Sequence, residues 1–591
     1  MSELAPAASA ALTIDRDAQG ARRAASVIVL RDGASGAPEV LLLRRAEREG
    51  DMRSGVWVFP GGVLDEEDAA LGERCHGDSE VAANDRLGLP HGALAYTVAA
   101  LRECFEEVGL LYAADGDVEA ALHERELVRT GADFAALCAR HGLRLDAGAL
   151  AYHSHWLTPP GLPKRFDTRF FVARAPHGQQ AVVDAGEALE LAWLTPAQAL
   201  ESERGESAPG RSQADSPPRG AAAAAQPPGG TMKLLPVTRE TLKDLARFAS
   251  VAEVLAEAHA RRHPPRMMPR LGRDAAGRVR PVLPGEWAYA EIGRLDPEGR
   301  GTVCFELPPL APVRLSERVT RITCANGSVM TGPGTNTYLV RAPGGAEVTV
   351  IDPGPDDAHT EAHLQAVLGA AAPGRIVRIV TTHTHKDHSP GARRLAELTG
   401  APVIGRVADH GEWQDTAFAP RHMPIDGERI VLGAGATLRA VATPGHASNH
   451  VCWLLEEEGL LFTGDHVMQG STVVINPPDG DMATYLASLD KLLALDGLRW
   501  FAPGHGFLMA EPQAEVRKLI AHRLGREAKV AAALRAAGAA SAEALVPTVY
   551  GDVPSARHGI AARSLTAHLI KLAADGRARR DGDLWHWQEQ P

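Results

Sequence analysis

Seven side chains in the second half of the chain have the types and spacing of a two-metal hydrolytic centre: His383, His385, Asp387, His388, His446, Asp465 and His505. Imidazole and carboxylate suit zinc, iron or manganese. A water between two such ions loses its proton near neutral pH, and the ions polarise the carbonyl or phosphoryl group it attacks. A lone Thr-Pro-Gly-His or Thr-Gly-Asp is commonplace. A His-x-His-x-Asp-His run followed in order by both, and then by Pro503-Gly-His505, leaves little room for coincidence.

A second group lies near the other end. Glu103, Glu106 and Glu107 stand at i, i+3 and i+4, on one face of a helix, with Arg102 beside them. Three such carboxylates repel unless a cation compensates. Mg²⁺ or Mn²⁺ does so and can clamp a diphosphate at the same time. The plainer alternative is a solvated acidic face.

Strands must deliver the seven ligands. Arg378–Thr382 leads into His383, Leu438–Ala442 into His446, Leu460–Phe462 into Asp465 and Trp500–Ala502 into His505. Ligands at strand ends are held rigidly and can converge, and neighbouring glycines let the backbone turn tightly. Upstream, Ala25–Leu30 and Val40–Leu43 read as strands and Ala93–Leu111 as a helix. Thr238–Arg261 reads as one or two helices and Glu515–Ala537 as one, with a final β-like run at Leu584–Gln588.

At 591 residues, 45% hydrophobic and 23% charged, the chain reads as a soluble protein of three or four domains. The net charge of −12 argues against general nucleic-acid binding. Six scattered cysteines without a Cys-x-x-Cys pair suit a reducing compartment. No leader peptide or membrane span is expected, which places the protein in the cytoplasm with no membrane partner.

The segment from about 316 to 510 resembles the metallo-β-lactamase superfamily. Beyond the ligands, Gly332-Pro-Gly-Thr-Asn336-Thr-Tyr-Leu and Ile351-Asp352-Pro-Gly354 match its opening strands. The resemblance implies an αβ/βα sandwich. His383, His385 and His446 would hold one metal, Asp387, His388 and His505 the second, and Asp465 would bridge them. Two divalent ions, zinc foremost, are the implied cofactors, and Asp352 would support the ligands from behind. The full ligand set argues against antibiotic hydrolysis. Only 40 positions separate Asp465 from His505, too few for the inserted domain of the large RNA-processing branch. A glyoxalase-II-like thioesterase and the β-lactamase-like-protein-2 branch, whose members cut single-stranded RNA, both remain. Residues 512–591 resemble that branch's winged-helix-like module. They carry 12 Lys/Arg against 8 Asp/Glu, and Arg517, Lys518, Arg523, Arg526 and Lys529 recur at helical spacing, either as a solvated face or as a phosphate-gripping one for RNA.

Residues 55–62, Gly-Val-Trp-Val-Phe-Pro-Gly-Gly, together with Arg102–Gly109, resemble a Nudix box. Gly62 fills the first glycine slot and Asp68 falls where a Glu is usual. The 33 residues between Asp68 and Arg102 interrupt the box, as in the CoA-diphosphatase subgroup. Ser154–Thr158 and Phe166–Phe171 also look like that subgroup. The resemblance implies Mg²⁺ or Mn²⁺ on Glu103, Glu106 and Glu107, with Arg102 orienting them. It also implies CoA or a nucleotide-like diphosphate as substrate.

The expected organisation is multidomain α/β. A flexible tail (1–22) precedes a Nudix α/β/α sandwich (23–265, with a low-complexity loop at about 203–230). A connector (266–315), a metallo-β-lactamase domain (316–511) and a winged-helix-like α+β module (512–591) follow. The expected function is bifunctional, metal-dependent hydrolysis of small molecules. The C-terminal half would cleave an ester, thioester or phosphodiester, with Asp387 and Asp465 catalytic. The Nudix half would cleave a diphosphate, with Arg102 and the three glutamates catalytic. The alternatives are a single-stranded RNA endonuclease with a ligand-binding Nudix half, or a glyoxalase-II-like thioesterase.

Overall fold

The computed structural model describes residues 20–47, 54–128, 130–183, 188–204 and 231–589. The chain divides into two compact units, residues 1–270 and 271–591. The tail expected at 1–22 and the loop expected at about 203–230 fall mostly outside the described residues. Where they overlap them, Arg22 opens a strand, and Glu203 and Arg204 close the helix Pro196–Arg204.

In the first unit the main sheet runs Ala188–Leu194, Pro38–Arg45, Arg22–Asp32, Phe166–Arg174, Ala151–Leu157, Arg266–Met267. Arg22–Asp32 lies parallel to Phe166–Arg174 and is buried from Ala24 to Leu30, which is why its sequence is a continuous apolar run rather than an alternation. Its odd-numbered residues Val27 and Val29 pack with Leu41 and Leu43 beneath the helix Ala93–Val108. That helix is started by a carboxylate from outside itself, because Glu80 accepts from the amides of Ala93 (3.2 Å) and Leu94 (3.1 Å). It stops at Gly109, whose φ of +69° is the left-handed conformation that ends helices. The residues that interrupt the Nudix box include the helix Glu80–Leu87 and the short strand Cys75–His76, which pairs with Arg144–Asp146.

The second unit holds two six-stranded sheets face to face. One runs Pro312–Arg314, Val319–Thr323, Asn336–Val340, Glu347–Ile351, Arg375–Val380, Val403–Ile404. The other runs Arg429–Gly433, Ala436–Ala442, Val451–Leu455, Leu460–Gly464, Trp500–Pro503, Met509–Ala510. Side chains alternate between faces with a period of two. Tyr338, Val340, Trp453, Leu455 and Phe462 therefore fill the space between the sheets. Leu339 and Val350 point outward to the helices Thr360–Ala371 and Gly391–Thr399. Cys452 and Leu454 point outward on the other side, to Met482–Leu493 and Pro512–Ala537. This is the αβ/βα order.

Residues 271–315 also belong inside this unit. Glu291 and Arg321, each 1% exposed, form a two-pronged ion pair at 2.7 and 2.9 Å, and Glu291 also accepts from the Leu508 amide at 2.8 Å. The helices Pro512–Ala537, Ala542–Val549 and His558–Ala574 and a three-stranded sheet close over a core of their own that includes Val530, Leu534, Leu569 and Trp585.

Candidate metal centre

All seven predicted ligands meet at one edge of the sandwich, at the ends of the strands described above. Three donor groups are tight, each with its ligand atoms within 4.8 Å of one another: His383, His385 and His446; His383, His388 and Asp465; and Asp387, His388 and His505. His385 Nδ1 lies 3.0 Å from both His383 Nε2 and His446 Nε2. His388 Nε2 and His505 Nε2 each lie 3.3 Å from Asp387 Oδ2, and 3.4 and 3.3 Å from Asp465 Oδ1.

The far sides of three of the rings are fixed, as metal-ligating histidines require. His446 Nδ1 donates to the Val474 carbonyl (2.8 Å) and His505 Nδ1 to the Gly334 carbonyl (3.1 Å). His388 Nδ1 donates to Asp352 (3.0 Å), and that carboxylate also accepts from the amide and hydroxyl of Thr382, both at 2.7 Å. Asp352 takes up φ +51°, strained for a residue with a Cβ, which suits a position held from two sides. The Asn336 amide side chain donates to the carbonyls of Pro503 (3.1 Å) and Gly506 (2.9 Å), fastening the loop that carries His505. Thr335 donates to Asp387 at 3.2 Å.

The residues fit divalent cations. His388 Nε2 and Asp465 Oδ1 are buried and have no hydrogen-bond partner, which is costly unless something else engages them. Burial opposes charge on Asp387 and Asp465, yet His388 and His505 hold both carboxyls well below the usual range. The carboxylates in turn overcome burial at His388 and His505, raising the first and lifting the second to about 9. The cluster thus draws in positive charge. On the other side burial, together with His385, pushes His446 down to about 3, leaving a neutral imidazole of the kind a metal needs.

The spacing of residues did not single out His450 or His466. His450 lies buried four positions after His446, stacked on His383 with centroids 5.0 Å apart and ring planes at 28°. His466 is buried beside it at 5.7 Å. The signal for His450 was the repeated histidine in His446-Ala-Ser-Asn-His450.

In the first unit, Arg102 gathers the box. It donates to Asp68 (2.9 and 3.0 Å), Glu103 (2.9 Å), Glu106 (3.4 Å) and the Val63 carbonyl (2.9 Å). Asp68 is fully buried and also accepts from the Asp65 amide at 2.7 Å, so it fixes Arg102 and caps a helix. Glu107 accepts from the Gly61 amide at 2.9 Å. Burial, with Glu106 adding to it, pushes Glu103 up to about 7. A Cβ on Gly62 would lie 2.3 Å from the Glu103 carboxylate, which explains the glycine. Among the described residues the tight donor groups all lie in the second unit, so Glu103, Glu106 and Glu107 share a face without closing into one.

The basic stripe of the C-terminal module is corrected. Arg523 is buried, donating to the Val473 carbonyl with its guanidinium 5.3 Å from the Tyr485 ring. Arg526 is buried against Asp552 (2.8 and 3.0 Å) and Tyr550. Both are consumed inside the fold, because that side of the helix meets carbonyls and aromatic rings. Arg517, Lys518 and Lys529 stay exposed.

The fold and the ligand cluster define a hydrolase. Residues 330–505 match the metallo-beta-lactamase superfamily, 541–587 the beta-lactamase associated winged helix domain, and 76–207 the NUDT19 Nudix domain. The chain is 34% identical over 318 residues to an atrochrysone carboxyl ACP thioesterase of Aspergillus fumigatus, covering 49% of this chain and 95% of the relative. It is 33% identical over 278 residues to a beta-lactamase-like protein 2 homolog of Drosophila melanogaster, covering 46% and 92%. A Nudix hydrolase structure from Alicyclobacillus acidocaldarius aligns at 26% identity and TM-score 0.32, covering 40% of this chain and 96% of that one. The chain belongs to the metallo-beta-lactamase superfamily and carries, besides that fold, a Nudix domain and a winged helix. No helix among the described residues is long and apolar enough to cross a membrane.

Proposed function

We propose that the second unit hydrolyses a thioester at a dinuclear site and that the first unit cleaves a diphosphate with Mg²⁺ or Mn²⁺. The observation that carries the first half is the convergence of seven candidate ligands on one point where His388 Nε2 and Asp465 Oδ1 are buried without a hydrogen-bond partner. His383, His385 and His446 would hold one ion, and Asp387, His388 and His505 the other, with Asp465 between. Bound there, divalent ions supply Lewis acidity and a nucleophilic water at neutral pH. Asp352, Thr335 and Asn336 keep the ligands aimed. The thioester is favoured because a relative named as an acyl-carrier thioesterase aligns over nearly its whole length. For the diphosphate, Arg102 holds Glu103 and Glu106, the first of them against Gly62, and a cation would relieve their repulsion.

The test is a substrate panel on zinc- and magnesium-loaded protein. It comprises S-acetyl-N-acetylcysteamine, acetyl-CoA, S-lactoylglutathione, ADP-ribose, a phosphodiester and single-stranded RNA. Asp465→Asn should abolish thiol release and spare diphosphate cleavage, and Glu106→Gln should do the reverse. Thiol release from none of the thioesters would sink the first half. Loss of both activities with either variant would sink the bifunctional reading.

A further inference from the structure

Trp413 is 49% exposed and sits at φ +69°, a conformation a bulky side chain rarely takes. Its neighbours hold it there. Gln414 forms a backbone bridge with His385, and its side chain accepts from Thr384 (2.7 Å) and donates to Asp479 (2.8 Å). The Asp415 amide donates to the Thr384 carbonyl at 2.6 Å. The ring is thus positioned by the very loop that carries His385.

Over this ring, 4.5 Å from its centroid, lies the guanidinium of Arg563, on the helix His558–Ala574. That helix is anchored at the next residue, where Ser564 accepts from the Ile475 amide at 3.2 Å, and the preceding Val474 carbonyl is the one that fixes His446. The Arg563–Trp413 pair therefore joins the segment bridged to His385 to a helix that touches the segment supporting His446. Among the described residues no carboxylate lies within ion-pair distance of Arg563 and no hydrogen bond engages its guanidinium. In the same module, by contrast, Arg526 is paired with Asp552 and Lys571 with Glu527. A guanidinium held over an indole ring without a hydrogen bond keeps N–H donors available, and these match a carboxylate or phosphate.

We infer that Arg563 and Trp413 form a recognition subsite for an anionic group carried by the substrate of the metal centre, so that the winged-helix module supplies part of the substrate site. This rests on the thioester reading for the identity of that substrate. The anion is the phosphate of a pantetheine arm or a carboxylate on the acyl group, and the two are separable.

The experiment compares S-acetyl-4′-phosphopantetheine, S-succinyl-N-acetylcysteamine and neutral S-acetyl-N-acetylcysteamine on zinc-loaded full-length protein. The variants are Arg563→Gln, Arg563→Lys and Trp413→Leu. Arg563→Gln should lower kcat/KM for one anionic thioester, relative to the neutral one, by about tenfold or more, chiefly through KM. Arg563→Lys should recover part of that ratio. The anionic substrate affected names the anion. A fall of equal size on all three substrates means a merely structural contact and overturns the inference. If the unaltered protein hydrolyses no thioester, the thioester reading fails, and calorimetry with 4′-phosphopantetheine and with succinate decides the subsite. Binding weakened about tenfold or more in Arg563→Gln supports it. Binding that is equal in both proteins, or absent, overturns it.

Discussion

Gly504 lies against Asp465: a Cβ at position 504 would come within 2.6 Å of Asp465 Oδ1 and 2.7 Å of His388 Cε1. The glycine before the last ligand is there to leave room for the centre itself. Gly504→Ala should therefore yield a folded protein with a lower metal-to-protein ratio and little hydrolytic activity. Elemental analysis after gel filtration, alongside circular dichroism, checks this. Full metal content with full activity would contradict it.

Asp352 ties His388 to Thr382 from behind. Asn tolerates the positive φ of this position but cannot support the imidazole with a charge. Asp352→Asn should weaken metal binding about 10- to 100-fold while leaving the fold intact. Competition with a chelator of known affinity measures the change.

His363 reports on pH. Its ring is fully buried, with Nε2 2.7 Å from the Thr337 hydroxyl, and burial pushes it down to about 4. Unfolded, it would titrate near 6.5. Between those values the unfolded chain binds the extra proton, so stability falls as pH drops from about 6.5 towards about 4 and is retained above. The contribution lost by pH 4.5 is about 2–3 kcal/mol. In urea unfolding at pH 7 and pH 4.5, His363→Gln should lose less stability between the two pH values than the unaltered chain does.

Gly62→Ala should remove the proposed Mg²⁺-dependent diphosphatase activity, because its Cβ would strike the Glu103 carboxylate at 2.3 Å. Thioester hydrolysis in the same preparation should be untouched. Assaying both on one sample separates a local effect from misfolding.

Arg526→Ala should destabilise the protein by about 1–3 kcal/mol, since it removes charged hydrogen bonds to Asp552 and the Val549 carbonyl. Lys518→Ala, on the exposed side, should change stability by less than about 0.5 kcal/mol. Denaturant melts of the two variants decide whether the stripe is structural or superficial.

The seven candidate ligands were legible because each carries its own chemistry and most follow a recognisable strand. His383 to His505 could be placed without knowing how the sheets face. The box at Arg102–Glu107 was legible as a helix face for the same reason. What could not be read depends on contacts made across the fold. Asp68 falls where the pattern has a Glu, and only the folded chain, which brings it back across 33 intervening residues, shows that it serves Arg102. Arg523 and Arg526 follow the periodicity of a surface stripe, and only the packing of Tyr485 and Tyr550 turns them inward. The pairing of Trp413 with Arg563, 150 residues apart, leaves no local trace.

The buried Glu291–Arg321 pair sets how much of the chain can stand by itself as the hydrolase. Every recognisable motif of that half follows residue 316, yet a cut there would leave the Arg321 guanidinium uncompensated in the interior and the Leu508 amide without its acceptor. Stranding one member of such a pair costs about 3–5 kcal/mol, a large share of a domain's stability. An autonomous hydrolase fragment must begin ahead of Glu291.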